Sequence, residues 1–202
     1  MRSFVIIGRT ATASATFLLE DLPGSSGRLD VLLRCIRAAT LYSHGLRQGV
    51  RVYLLLRGGP AAPRVLRIDS NQVRFIRPDE RSLALLVKKT LAAAPEEQNG
   101  TFVEIKAGVA LAHADLDCVL SDVAGAARYV LEAGGVDVRG VALGQAHSAF
   151  FLGDHLGFEA ADRDRLIAEG ATPLSVGPLT LHTDDVVTLL SNELDRSHPS
   201  NA

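Results

Sequence analysis

The chain has 202 residues, 47% of them hydrophobic, enough for a single domain over 1–202 or one with a small annex. Apolar runs such as VYLLL (52–56) and YVLEAG (129–134) are far too short to cross a bilayer, and MRSFVIIGRTATA lacks the long apolar region of a signal peptide, so a cytoplasmic protein with no membrane partner is expected. The formal charge of −2 conceals an asymmetry: residues 1–101 carry 15 Lys/Arg against 8 Asp/Glu, residues 102–202 carry 6 against 15.

Between Arg28 and Lys89 there are 13 basic and 4 acidic residues, and most of the bases are arginine, whose planar fork suits bidentate contact with phosphate. That points to a polyanion-binding face, unless the arginines are scattered over several faces. Cys35 and Cys118 lie in apolar, helix-like contexts without a CxxC partner or clustered histidines, so they read as reduced core residues and no metal is expected.

In chain order, SFVIIG (3–8) is a buried strand, followed by a polar stretch and by LLEDLPGSSGR (18–28) with its turn signals. RLDVLLRCIRAATLYSHG (28–45) places Leu29, Leu32, Leu33, Ile36 and Ala39 at helical spacing, with Gly45 as the stop. VRVYLLLRGG (50–59) is the next strand. RVLRID (64–69) and QVRFI (72–76) alternate apolar residues with arginine around Ser70-Asn71, which predicts a small basic hairpin excursion near 64–77 exposing Arg67, Arg74 and Arg77. PDERSLALLVKKTLAAA (78–94) opens on proline and acids and ends in lysines, the order a helix dipole favours.

The second half continues the alternation: helix 114–126, strand 128–134, strand or loop 136–143, strand 149–154, helix 159–170, strand 172–177 and helix 183–195, then a polar tail that frays. This order predicts an α/β fold whose mostly parallel sheet is flanked by helices on both faces. Glycine follows an apolar strand after Leu131, Leu152 and Val176, so three exits in one half point to a shared small-molecule pocket. There is no GxGxxG after a strand and no GxxxxGK[ST], which disfavours dinucleotides and nucleoside triphosphates.

Taken together, DLPGSSGRLDVLLRC with SHGLR downstream, PDERS heading a helix, FFLGDHLGF, and LSVGPLTL followed by NELDR resemble the archaeal-type tRNA (pseudouridine-54) N1-methyltransferases of the SPOUT superfamily, over almost the entire chain. The resemblance implies dependence on S-adenosyl-L-methionine (AdoMet), a C-terminal trefoil knot, a homodimer and a tRNA partner. Carried over residue by residue, it puts Leu131, Gly153, Val176, Gly177, Pro178, Thr180, Leu181 and Val186 around the cofactor. The family often has Cys where Val186 stands, and Gly-His where GRTATA stands, so no thiol or N-terminal histidine function transfers.

The implied reaction moves the AdoMet methyl to N1 of pseudouridine at position 54 of the T-loop, with loss of the N1 proton. Asp30 is the candidate proton acceptor, between Arg28 and Arg34; the same residue also reads as a first-turn acid paired with Arg34. Arg28, Arg34, Arg47 and Arg81 are the candidate RNA-binding residues, and Arg81 also reads as a partner for nearby acids. His44 reads first as a helix-end residue, and Asp154, beside His155, first as a loop hydrogen-bonder. A SPOUT methyltransferase acting on another RNA site, or a non-catalytic knotted RNA-binding protein, are the alternatives. A plain α/β small-molecule enzyme would leave the basic segment unexplained.

Overall fold

The computed structural model describes residues 1–94, 100–143 and 147–197; the last part of the expected tail, 198–202, lies outside the described residues. Ten strands, β1 (Arg2–Thr12), β2 (Leu41–Tyr42), β3 (Gly45–Leu46), β4 (Val50–Gly58), β5 (Arg64–Asp69), β6 (Val103–Lys106), β7 (Val109–Ala112), β8 (Ala127–Asp137), β9 (Ser148–Gly153) and β10 (Thr172–Ser175), are assigned among them. The helices are α1 (Leu22–Ser25), α2 (Leu29–Thr40), α3 (Glu80–Ala92), α4 (Leu116–Asp122), α5 (Ala160–Ala168) and α6 (Thr183–Ser197).

Eight strands form one sheet in the order β10-β8-β9-β1-β4-β5-β7-β6. The pairs β10/β8, β8/β9, β9/β1 and β1/β4 are parallel, while β4/β5, β5/β7 and β7/β6 are antiparallel. Residues 4–7 of β1, 52–56 of β4 and 149–152 of β9 are buried at successive positions because both faces are covered. Phe4, Ile6, Val52, Leu54, Phe150 and Leu152 face a cluster built by α2, α3 and α6. Their alternates Val5, Ile7, Tyr53, Leu55, Ala149 and Phe151 face the cluster of α4 and α5. Each such side chain, removed from water, contributes on the order of 1.5–3 kcal/mol.

Three sequence expectations are corrected. The basic hairpin near 64–77 does not form: 72–76 is not a strand, and β5 instead lies inside the sheet between β4 and β7. The second antiparallel partner is the hairpin β6–β7, whose turn carries Gly108 at φ +74 and which the sequence reading left without an element. Helix α2 ends at Thr40, where the next residue turns extended; Tyr42 pairs with Gly45 in the small hairpin β2–β3, so Gly45 serves that hairpin and does not stop the helix. Finally, β8 does not exit at Leu131. It continues to Asp137 through a register shift in its pairing with β10 between Pro173 and Leu174, followed by a 3-10 turn over Val138–Gly140.

Candidate active site

The carboxyl ends of the parallel strands lie on one edge of the sheet, where connections leave room for a ligand. The register shift arches residues 131–135 of β8 away from regular pairing, since β8 pairs with β10 through Tyr129 and Val130 and again through Val136 and Asp137. Gly135 permits the arch: a Cβ there would lie 2.4 Å from the Leu174 backbone nitrogen. Beneath it opens a cleft of about 90 Å³, lined by Leu131, Glu132, Ala133, Leu174, Ser175, Val176, Gly177, Leu179, Thr180, Leu181 and Val186.

The sequence-derived cofactor residues Leu131, Val176, Gly177, Thr180, Leu181 and Val186 therefore come together, from three separate elements. Pro178 and Gly153 are not among the lining residues. Gly153 lets the following loop fold back, because a Cβ would lie 2.5 Å from the Gly157 carbonyl carbon, and its own carbonyl accepts from Thr183 Oγ1 at 2.8 Å. That bond ties the start of α6 to the exit of β9. The sequence reading missed Glu132, Ala133, Leu174, Ser175 and Leu179; the signal for the first two was their adjacency to Leu131 in a glycine-terminated run.

The loop after β10 offers unpaired backbone groups. The amides of Leu179, Thr180 and Leu181 have no protein acceptor among the described residues, while Gly177 N–H donates to Ser175 Oγ at 3.2 Å. Gly177 has φ +156, and a Cβ built on it meets no atom within 4 Å, so its open side faces free space. Free amides, apolar walls and a glycine facing open space fit an adenine-bearing ligand. The single charged side chain in the lining is Glu132, whose carboxylate accepts 2.7 and 2.9 Å bonds from Arg163 of α5, which hold it below the usual carboxylate range. A fixed anion of this kind suits a cofactor carrying a sulfonium.

At the head of α2 lies a second cluster. Gly27 and Arg28 both adopt left-handed backbone, φ +62 and +66; Gly27 is required because a Cβ would fall within 2 Å of the Thr10 carbonyl oxygen. A non-glycine residue held there is strained by about 1 kcal/mol or more, and such strain concentrates at functional sites. The turn aims Arg28 back at Asp30, donating from Nε at 3.0 Å and Nη2 at 3.1 Å, while Arg34 Nη1 donates to Asp30 at 3.1 Å. Burial alone would raise the Asp30 carboxyl, but these hydrogen bonds outweigh it and hold the group below the usual carboxylate range. Arg34 also reaches Glu80 of α3 at 3.5 Å and Asp184 of α6 at 3.6 Å, so the cluster joins three helices and adjoins the cleft through the first turn of α6.

The other predicted residues separate. Arg47 pairs with Asp195 at 3.0 Å and donates to the carbonyls of Ala38 and Leu41, bonds that tie α6 to the end of α2. Arg81 is exposed and pairs with Glu20 at 3.2 Å. Asp154 is buried and accepts from the Arg9 and Leu156 amides, the loop role read from sequence, with His155 Nδ1 3.8 Å away. His44 lies in the β2–β3 hairpin. Cys35 is buried, and burial pushes its thiol up; Cys118 is half-buried. No group of three or more His, Cys, Asp or Glu converges among the described residues, and no helix is long and apolar enough to cross a membrane.

Residues 1–199 match the family profile described as "Putative SAM-dependent RNA methyltransferase". The chain belongs to this family. Within it, the chain is 39% identical over 197 residues to the tRNA (pseudouridine(54)-N(1))-methyltransferase of Methanosarcina acetivorans, covering 98% of this chain and 92% of that one. It is 38% identical over 199 residues to the enzyme of the same name from Methanococcoides burtonii, covering 98% and 97%. Among solved structures, Archaeoglobus fulgidus Nep1 bound to S-adenosylhomocysteine superposes with a TM-score of 0.66 at 12% identity, over 98% of this chain and 99% of that one, which shows a shared fold. The sequence resemblance and the α/β architecture read from the alternation of elements are both upheld.

Proposed function

We propose that this methyltransferase transfers the methyl group of AdoMet to N1 of pseudouridine-54 in the tRNA T-loop. The observation that carries the reading is the junction of the two clusters: an amide-rich cleft at the strand ends, joined through the first turn of α6 to an arginine cluster set by a strained turn. Relatives over nearly the full chain carry that activity in their names. When bound, AdoMet supplies a methyl already activated by its sulfonium, so the protein's contribution is chiefly position and field.

Residues 176–181 hold the adenosine through backbone groups, Leu131, Val186 and Leu181 supply apolar contact, and Glu132 faces the cationic part. Arg28 and Arg34 hold the RNA backbone or the pseudouridine carbonyls. Asp30 positions those two guanidiniums; a carboxylate kept ionised by two arginines is a weak base, so the N1 proton leaves to water or to another group. Gly153 and Pro178 shape the loops on either side of the cleft. Arg47 acts in holding α6, and Arg81 remains exposed for phosphate contact.

A trefoil knot, a homodimer and a cytoplasmic setting belong to the same reading. Exposed Leu179, Leu181 and Leu189 around the cleft and α6 support a second copy there.

The test is methyl transfer from labelled AdoMet to T-arm RNA carrying uridine or pseudouridine at position 54, with nucleoside mass spectrometry. N1-methylpseudouridine from the pseudouridine substrate alone is expected, because uridine has no free N–H at the corresponding ring position; methylation of both, or of a different nucleoside, would overturn the assignment. Gly177→Val adds branched carbon to the ligand's space and to a φ that L residues avoid. It should weaken AdoMet binding at least about tenfold by calorimetry, and unchanged affinity would remove the loop from the cofactor site.

A further inference from the structure

At the opposite end of α2 from Asp30, a cavity of about 360 Å³ opens between the β2–β3 hairpin and the chain that follows β5. Leu41 and Ile76 line its apolar floor, Tyr42 and Phe75 stand at its walls, His44 and Arg74 at its rim, and no carboxylate lines it. Tyr42 is 56% exposed and Phe75 68%; they are the exposed aromatic side chains among the described residues. The Tyr42 ring end passes close over Gly45, where a Cβ would lie 2.6 Å from its hydroxyl. Arg74 is exposed and makes no ion pair or side-chain hydrogen bond among the described residues, unlike most arginines of the basic segment.

We propose that this pocket takes an unstacked nucleobase of the substrate RNA between Tyr42 and Phe75, with Arg74 on the adjoining phosphate. Exposed aromatics beside an unpaired cation are the combination by which proteins hold single-stranded nucleotides. The exposed Arg37 lies on the same face of α2 as Arg34, so basic side chains lead from the Asp30 cluster to the pocket. The eleven-residue separation along the helix spans about 16 Å, so the pocket holds a nucleotide other than the reacting one. A second copy of the chain fits less well: a two-fold contact through this patch would oppose Arg74 to its own copy with no carboxylate in the lining to meet it. The proposal rests on the RNA-methyltransferase reading.

The experiment is a fluorescence-anisotropy titration of T-arm RNA against wild-type protein, Phe75→Ala, Phe75→Tyr and Arg74→Ala over a salt series. Phe75→Ala should lower RNA affinity at least about fivefold without changing the salt slope, and Phe75→Tyr should restore it. Arg74→Ala should reduce the slope by about 0.7 to 1. AdoMet affinity by calorimetry should be the same in all four. Equal RNA affinity in wild type and Phe75→Ala sinks the pocket alone, while a wild type with no affinity for RNA sinks the functional reading and the pocket with it. Loss of self-association in Phe75→Ala by sedimentation would assign the patch to a contact between copies instead.

Discussion

Asp30 shows how a single residue's role turns on its partners. In the sequence it is an acid in a first helical turn, equally suited to a dipole, an ion pair or a proton transfer. In the fold it is 3% exposed and receives three hydrogen bonds from two guanidiniums. Its pKa is depressed below the ordinary 3.8, so its contribution to stability is fully present above that value and is lost as pH falls through the lower, folded pKa. Asp30→Asn should therefore cost about 2–3 kcal/mol at neutral pH, because two cations lose their anion. In urea unfolding the gap between variant and wild type should close below about pH 4, as the wild-type carboxyl also protonates. A gap independent of pH would mean that packing, not charge, is what Asp30 supplies. The i to i+4 pairing with Arg34 was legible in the sequence; the bidentate grip of Arg28 was not, because it depends on a left-handed residue other than glycine.

At the level of elements, the cleft is made by one irregular strand. A glycine-rich segment after an apolar run, such as LEAGG (131–135), reads as an exit loop. The pairing of Val136 and Asp137 with β10 shows that the strand resumes, leaving 131–135 as an arch over the cavity. Gly135→Ala places a methyl against the Leu174 backbone with no flexible side chain to yield. It should separate β10 from β8, lower stability by roughly 2 kcal/mol or more and weaken AdoMet binding together. Thermal unfolding and calorimetry check both, and a variant that loses neither would show that the arch can shift freely. Periodicity found most elements but not their ends, since α2 stops where Tyr42 pairs with Gly45, not where glycine stands.

Across the whole molecule, the charge asymmetry between halves resolves into complementarity. Arg2 and Arg47 meet Asp195, Arg34 meets Asp184, Arg67 meets Asp122, and Arg57 meets both Asp115 and Asp162. Much of the basic segment thus bonds to the acidic half, and exposed Arg37, Arg74, Arg77, Arg81 and Lys89 remain for a polyanion. Arg57 grips a buried Asp162 on the face away from α2 and α6. Arg57→Met leaves that carboxylate unpaired and should cost about 3 kcal/mol, with AdoMet affinity unchanged at 25 °C. Adding Asp162→Asn should recover part of the loss; no recovery would mean that the deficit lies elsewhere.

By itself the sequence determined the α/β alternation, the two-faced central strands and the family, because these rest on local periodicity and on contiguous motifs. Only the tertiary structure decided which arginines are spent on the fold, what charge state Asp30 keeps, how β8 arches and that Tyr42 and Phe75 line one cavity. Those outcomes depend on groups brought together from distant parts of the chain, such as Arg57 and Asp162, and no local pattern encodes which distant partner a side chain will meet.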